Sequence, residues 1–235
     1  MKNKVSVKRT AVVAAAGSGS RMNLKENKQF LMLGAYPVLA VTLLKLSKSR
    51  LIDDIVVVAR ECDIVTVSKL ISDFGIEKIS CIVPGGATRQ ESVFAGLKET
   101  AEDSFVLIHD GARPFFTETL LKELIEAAEK NGAAAPGLVP KDTIAFVDGK
   151  GFFKEVTKRD TLRGMQTPQV FKAELIKAAH EKAREEKKEF TDDCSLFTYY
   201  GGRVYITRGE ENNIKITVPE DIPVAELIME ENGIV

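Results

Sequence analysis

Two hydrophobic periods take turns along this 235-residue sequence, and their succession constrains the fold more than any other feature. Residues 10–15 (Thr-Ala-Val-Val-Ala-Ala) form a short apolar run stopped by glycine, the pattern of a strand covered on both faces. Pro37 then opens a segment with Val38, Leu39, Val41, Leu43, Leu44 and Leu46 at helical spacing, and Asp54 precedes the β-branched run Ile55–Val58. The same alternation predicts a helix around Asp63–Phe74, a strand Ile79–Val83, a helix Thr88–Glu99 and a strand Ser104–His109. A helix Thr117–Lys130 and an apolar stretch Ala133–Val139 follow. Strands separated by helices build an α/β fold, a mainly parallel sheet flanked by helices on both faces. In that architecture ligands bind in loops at the carboxyl ends of the strands.

Further along the rhythm changes. Thr143–Val147 and Phe152–Val156 flank Asp148-Gly149-Lys150-Gly151, a hairpin signal, so a protruding β-hairpin arm is expected at about residues 140–160. A charged helix is expected over Ala173–Glu189, with Glu181–Glu189 as a solvated face. Strands are expected at Arg203–Thr207 and Ile214–Thr217, then a helix opened by Pro219-Glu220-Asp221. There is no internal repeat or low-complexity linker, and the length suits one domain over residues 1–235.

Composition removes several function classes. Lys and Arg number 33 against 34 Asp and Glu, a formal charge of -1, so no overall field favours a nucleic acid. No tract is long enough to cross a bilayer. Basic Met1–Arg9 followed by apolar Ala11–Ala16 falls short of a secretory leader, whose apolar core runs to about 7–15 residues. Cys62, Cys81 and Cys194 are far apart and form no Cys-x-x-Cys pair, which argues against a disulfide framework or zinc site and fits reduced thiols in a cytoplasm.

Chemistry concentrates in three loops. The first, Ala14-Ala15-Ala16-Gly17-Ser18-Gly19-Ser20-Arg21-Met22, follows the first strand and leads to Lys25 and Lys28. Small residues let backbone amides approach a ligand, and cations beside them suit phosphates. Met22 stands where a dinucleotide fingerprint needs its third glycine, and Met22-Asn23 where a Walker loop needs Gly-Lys. The second, Pro84–Ser92, follows another strand; Thr88 and Glu91 have capping-box spacing, while Arg89 and Ser92 share one helix face. The third, His109-Asp110-Gly111-Ala112-Arg113-Pro114, places a carboxylate at a strand end, with Arg113 able to orient it by a bidentate pair. His109 reads as a hydrogen-bonded histidine of the sheet, since no second His or Cys shares a ligand spacing. Cys194 has no evident base beside it, and no serine lies in a Gly-x-Ser-x-Gly elbow, which disfavours covalent hydrolysis.

These loops, with Asp142-Thr143, Gln166-Thr167-Pro168-Gln169-Val170-Phe171, Thr191-Asp192-Asp193 and Asn213-Ile214-Lys215-Ile216-Thr217, resemble the 2-C-methyl-D-erythritol 4-phosphate cytidylyltransferases, block by block and in the family's order. The resemblance implies a Rossmann-like nucleotidyltransferase fold and transfer of a cytidylyl group from CTP to a phosphorylated branched tetritol, with release of pyrophosphate. It implies catalytic roles for Arg21, Lys28 and Lys215 on the phosphates. The nucleotide would meet Ala15, Ala16, Gly17, Ser18, Gly19, Gly86, Ala87, Arg89, Ser92, Asp110 and Gly111, and the acceptor Asp110, Thr143, Arg159, Thr167, Thr191 and Lys215. Thr143 and Arg159 would arrive from a second subunit, so the resemblance also implies a homodimer clasped by the hairpin arm. Mg2+ or another divalent cation is implied as cofactor, with no protein ligands assigned to it. Asn27 stands where a proline often precedes the lysine, and the proline of Val139-Pro140-Lys141-Asp142 is displaced from its usual place.

The nearest rivals within the class are alditol-phosphate cytidylyltransferases acting on ribitol 5-phosphate; Gly111–Pro114 and Thr191–Asp193 lean toward methylerythritol phosphate. A non-catalytic nucleotide sensor is disfavoured by the joint presence of Arg21, Lys28, Asp110 and Lys215, and a nicotinamide oxidoreductase by the missing third glycine. The chemistry needs no general base, because the nucleophile is a phosphate oxyanion; it needs cations and in-line positioning.

Overall fold

The computed structural model describes residues 7–17 and 28–232. Its strands and helices run in the order β1 (Arg9–Ala14), β2 (Met32–Leu33), β3 (Tyr36–Pro37), α1 (Val38–Lys48), β4 (Asp54–Ala59), α2 (Ile64–Asp73), β5 (Ile79–Pro84), α3 (Arg89–Lys98) and β6 (Phe105–Asp110). Then come α4 (Glu118–Asn131), β7 (Ala133–Leu138), β8 (Ala145–Val147), β9 (Phe153–Val156), β10 (Gly164–Met165), β11 (Gln169–Lys172), α5 (Ala173–Glu185), α6 (Asp193–Tyr199), β12 (Tyr205–Arg208) and α7 (Asp221–Asn232).

The main sheet is eight-stranded in the order β10-β7-β11-β6-β1-β4-β5, with β12 beside β7. β1 pairs in parallel with β4 and β6, β4 with β5, and β12 with β7, whereas β11 and β10 run antiparallel to their neighbours. The expected mainly parallel sheet is therefore present, and β11 and β10 are the additions. Alternate residues of each strand serve opposite layers. Val13, Val57 and Leu107 pack under α1, α2 and α4, while Val12, Val56 and Ile108 pack under α3, α5 and α6. A smaller cluster joins Leu33, Val38, Phe115 and Ile216 to α7 through Ala225 and Ile228.

Local chemistry explains where the helices begin. Thr88 accepts from Glu91 N and Glu91 returns the bond, so the capping box expected for α3 is formed. Thr117 caps α4 through Leu120 N, and Gly132 closes that helix at φ 89°. The hairpin signal produces β8 and β9, with Asp148 Oδ1 accepting from Lys150 N and Phe152 N across the turn.

Two expectations are corrected. The helix expected to reach Glu189 ends at Glu185, because Gln90 captures the following segment: its amide donates to the Lys188 carbonyl and accepts from Phe190 N. The strand expected at Ile214–Thr217 does not form. There Ile216 N bonds the Ala112 carbonyl and its side chain fills the third cluster, while Thr217 N and Val218 N are taken by Asp221 Oδ2.

Candidate active site

Parallel register brings the carboxyl ends of β1, β4, β5 and β6 to one edge: Ala14 pairs with Asp110 and with Val58, and Ala59 with Pro84. The loops that leave this edge touch. A Cβ on Gly85 would lie 2.5 Å from Ala16 Cβ and 2.8 Å from Ser92 Oγ, so the first two loops meet because residue 85 has no side chain. On the other side, a Cβ on Gly111 would come within 3.3 Å of Ala15 Cβ. Ala15, Ala16, Gly85, Ser92 and Gly111 therefore form one continuous small-residue floor. Ser92 is buried and braces the second loop, accepting from Gly86 N at 3.1 Å and donating to the Thr88 carbonyl at 2.8 Å.

At one end of this floor stands Asp110. Lys215 Nζ lies 2.8 Å from Asp110 Oδ2, Arg113 Nε lies 3.5 Å from the same oxygen, and Arg89 Nε lies 3.5 Å from Oδ1. Burial would push the Asp110 carboxyl up, but the charges of Arg89, Lys215 and Arg113 outweigh it and hold the group well below the usual carboxylate range. The result is a permanent anion ringed by three cations, and even with Asp193, which shares Arg89, the positive charges outnumber the carboxylates. Such a surplus at a strand edge suits a polyanionic ligand. The bidentate Arg113–Asp110 pair expected above is not formed: Arg113 offers Asp110 one nitrogen and gives Nη1 to the Asn213 carbonyl at 2.8 Å.

Arg89 is shared with a second carboxylate. Its Nη1 lies 2.7 Å from Asp193 Oδ2, and Asp193 Oδ1 lies 3.2 Å from His180 Nε2. Burial favours protonation of Asp193, yet Arg89 and His180 overcome it and keep the pKa low. Asp193 belongs to α6, whose cap is the preceding residue: Asp192 Oδ1 accepts from Ser195 N and its Oδ2 from the Gln169 amide. The sequence offers Asp193 only as part of the Thr191-Asp192-Asp193 block, without a role of its own; a carboxylate pair opening a helix is the available signal.

The other expected site residues fall into three groups. Ala15, Ala16, Gly86, Ala87, Arg89, Ser92, Asp110, Gly111 and Lys215 are gathered at the edge just described, with Gly17 at the exposed end of the first loop. Thr167 is there too, 5 % exposed, with its hydroxyl taken by Asp110 N and His109. Thr143, Arg159 and Thr191 are exposed, and none makes a hydrogen bond or ion pair with Asp110 or Lys215; Arg159 instead donates to the Lys141 carbonyl at the base of the arm. Ser18, Gly19 and Arg21 lie outside the described residues, and Lys28 is described only as the first residue of a short 3-10 turn.

Among the described residues, neither covalent nor metal chemistry finds side chains suited to it. Burial pushes the Cys194 thiol far up, out of nucleophilic range. Among the described residues no group of three or more His, Cys, Asp or Glu side chains could hold a metal ion.

A mainly parallel α/β sheet whose strand ends carry a small-residue floor and a surplus of cations suits a nucleotide, and likeness to known proteins makes this one a nucleotidyltransferase. Residues 9–231 match the family model of 2-C-methyl-D-erythritol 4-phosphate cytidylyltransferase, IspD, and the chain belongs to that family. It is 45% identical over 224 residues to the 2-C-methyl-D-erythritol 4-phosphate cytidylyltransferase of Clostridium novyi, covering 95% of this chain and 97% of that one. The Halalkalibacterium halodurans enzyme of the same name is 45% identical over 222 residues, covering 94% and 97%. Among solved structures, 4-diphosphocytidyl-2C-methyl-D-erythritol synthase from Anaerococcus prevotii superposes with a TM-score of 0.83 at 35% identity, covering 95% of this chain and 96% of that one.

Proposed function

We propose that this chain transfers a cytidylyl group from CTP to 2-C-methyl-D-erythritol 4-phosphate, in isoprenoid precursor biosynthesis. Family membership over nearly the whole length supports the reaction, and the clustering of Lys215, Arg89 and Arg113 on Asp110 is the observation that carries the choice of site.

In this reading an oxygen of the acceptor phosphate attacks the α-phosphorus of CTP. One P–O bond forms, the bond between the α-phosphorus and its bridging oxygen breaks, and pyrophosphate leaves with that electron pair. The nucleophile is already anionic at neutral pH, so no side chain has to take a proton. The small-residue floor, with Gly86 and Ala87 beside it, receives the nucleotide, and Arg21, Lys28 and Lys215 oppose the charge that builds on the phosphates. Asp110 holds Lys215 in place and meets hydroxyl groups of the substrates. Among the described residues a protein cage for Mg2+ does not fit, since Asp110 is already engaged by three cations and Asp193 by Arg89 and His180. A divalent cation would therefore arrive on the triphosphate, as part of the CTP substrate.

The arm supplies the remaining pieces. Phe146, Val147, Phe152, Phe153 and Val156 are each more than half exposed, an apolar patch that calls for cover. A second copy of the chain covers it in this reading, as a homodimer that brings Thr143 and Arg159 to the partner's acceptor site. Three free cysteines and the use of CTP accord with a cytoplasmic enzyme.

The test is pyrophosphate release from CTP with methylerythritol phosphate and with ribitol 5-phosphate, on the intact protein and on Lys28→Ala. The reading requires preference for methylerythritol phosphate and a loss on the order of a hundredfold in the variant. Preference for ribitol 5-phosphate would replace the acceptor, and full turnover by Lys28→Ala would remove that residue from the mechanism.

A further inference from the structure

Asp110 and Lys215 come from distant segments, and a closed ring of hydrogen bonds ties those segments together. Asn213 Nδ2 donates to the Thr167 carbonyl (2.9 Å), the Thr167 hydroxyl lies 3.0 Å from His109 Nδ1, His109 Nε2 lies 3.0 Å from the Arg113 carbonyl, and Arg113 Nη1 donates to the Asn213 carbonyl (2.8 Å). His109 and Asn213 are fully buried. Asn213 precedes Lys215 by two positions, and Arg113 closes the turn that begins at Asp110 through a bond from its own N to the Asp110 carbonyl at 3.0 Å.

Proton bookkeeping leaves one arrangement. A carbonyl only accepts, so His109 Nε2 carries the hydrogen. Burial, with the charges of Arg113 and Lys45 adding to it and Asp110 opposing, pushes the imidazole down to about 4, so the ring is neutral at pH 7 and Nδ1 offers a lone pair. The Thr167 hydroxyl therefore donates to Nδ1, and its oxygen accepts from Asp110 N at 3.1 Å. Strand pairing explains why a side chain does this. β11 and β6 pair as far as Gln169 and Ile108; two residues on, Thr167 would face Asp110, but its carbonyl is held by Asn213, and the hydroxyl takes the amide instead.

We propose that His109 is a positioning residue for cytidylyl transfer: its imidazole links the Thr167 hydroxyl to the Arg113 carbonyl and thereby fixes Asp110 opposite Lys215. The proposal rests on the reading of Asp110 and Lys215 as site residues given above. It gives the ring a task that the ion pairs cannot perform. Phosphates entering the site compete with Asp110 for Lys215, Arg89 and Arg113, so the carboxylate needs an anchor independent of those charges.

Thr167→Val removes the shared hydroxyl at nearly constant volume, and Thr167→Ser returns it. Thr167→Val is expected to lower kcat by about tenfold to a hundredfold, with the KM for CTP held within about twofold, and Thr167→Ser to recover most of the loss. His109→Gln, whose amide nitrogen can donate to the Arg113 carbonyl but which has no acceptor at the place of Nδ1, is expected to follow Thr167→Val. The chain has two histidines, so nitrogen NMR of the intact protein, assigned with His109→Gln, reads the tautomer directly. Hydrogen on Nε2 and a bare Nδ1 are expected. Full kcat in Thr167→Val, a serine variant no better than valine, or hydrogen on Nδ1 would each overturn the proposal. Lys215→Ala is assayed in parallel: full turnover there defeats the reading of the site, while the tautomer and the serine rescue still judge His109.

Discussion

Arg89 stands between two carboxylates, and its tighter contact is with the one more fully buried: Nη1 lies 2.7 Å from Asp193, against 3.5 Å from Nε to Asp110. Asp193 is 1 % exposed. Removing the buried carboxylate takes away the shorter ion pair of Arg89 and the partner of His180, and leaves Arg89 only its longer contact to Asp110. Asp193→Asn is accordingly expected to destabilise the protein by about 3 kcal/mol, read as a shift in denaturant midpoint. Lys8→Ala, which breaks an ion pair to Asp54 whose lysine is 52 % exposed, is expected to cost less than about 1 kcal/mol. Equal effects would show that Arg89 and Asp193 are held by something other than their charges.

His109 makes stability depend on pH in a defined window. Its pKa falls from 6.5 in the unfolded chain to about 4 in the folded one, with burial as the main cause. Between those values the unfolded chain binds the extra proton, so folding stability is lost as pH drops from 6.5 toward 4. The loss expected from this one group is about 3 kcal/mol. Below that window Asp110 and Asp193 take over: their folded pKa values are depressed, so the stability they contribute is lost only in stronger acid. Urea unfolding at pH 7, 5.5 and 4.5 measures the slope, and His109→Gln should flatten it; an unchanged slope would assign the acid sensitivity elsewhere.

Lys45 lies beside a cleft of about 700 Å³ between α4 and the segment 208–212, with its ammonium 5.2 Å over the Phe116 ring. Burial lowers its pKa to about 8, against the opposing pull of Glu210. In protein carrying carbon-13 methyl groups on its lysines, the Lys45 resonance should titrate near 8, apart from exposed lysines near about 10.4. Glu210→Gln should move that midpoint further down. A Lys45 midpoint among the exposed lysines would show that the ammonium is hydrated.

Close approach at Gly85 is testable by one methyl group. Gly85→Ala places a carbon where Ala16 Cβ is 2.5 Å away, and neither that methyl nor Ser92 can swing aside, so the loop backbone must move. The KM for CTP is expected to rise by about tenfold, with kcat falling less. Gly149→Ala, with nothing within 4 Å of the added carbon, is the control and should be neutral. An unchanged KM in Gly85→Ala would mean that the nucleotide does not lie on this floor.

How much of this was legible follows from the range of each interaction. The strands β1, β4, β5, β6 and β7 and the helices between them announce themselves by local period, and α3 by the spacing of Thr88 and Glu91, because those signals need only neighbouring residues, whereas the two-residue strands β2 and β3 are too short to show a period. β11 was missed since Gln169–Lys172 is short and its partner β6 is far away in the chain. The mistaken strand at Ile214–Thr217 has the right β-branched residues, but its amides are claimed by Ala112 and Asp221. Asp110 was visible from its place at a strand end. The ring through His109, Thr167, Arg113 and Asn213 was not, because all its links but His109 to Arg113 join distant segments, and the direction of the bonds depends on which proton sits where.

The hairpin arm offers the last comparison, between an interface and a solvated surface. Phe152 and Phe153 are 69 % and 66 % exposed and adjacent on the ribbon, so their side chains contribute little to the fold of one copy. If a second chain covers them, replacing both with serine removes apolar contact worth about 1.5–3 kcal/mol per buried side chain. Sedimentation of the double variant should then show monomers at concentrations where the parent is dimeric, with an unchanged thermal transition for the sheet core. Turnover should fall as well, because Thr143 and Arg159 would no longer reach a partner's site. A monomeric parent, or a dimeric variant with full activity, would place the acceptor site within one chain and leave the arm without a part in it.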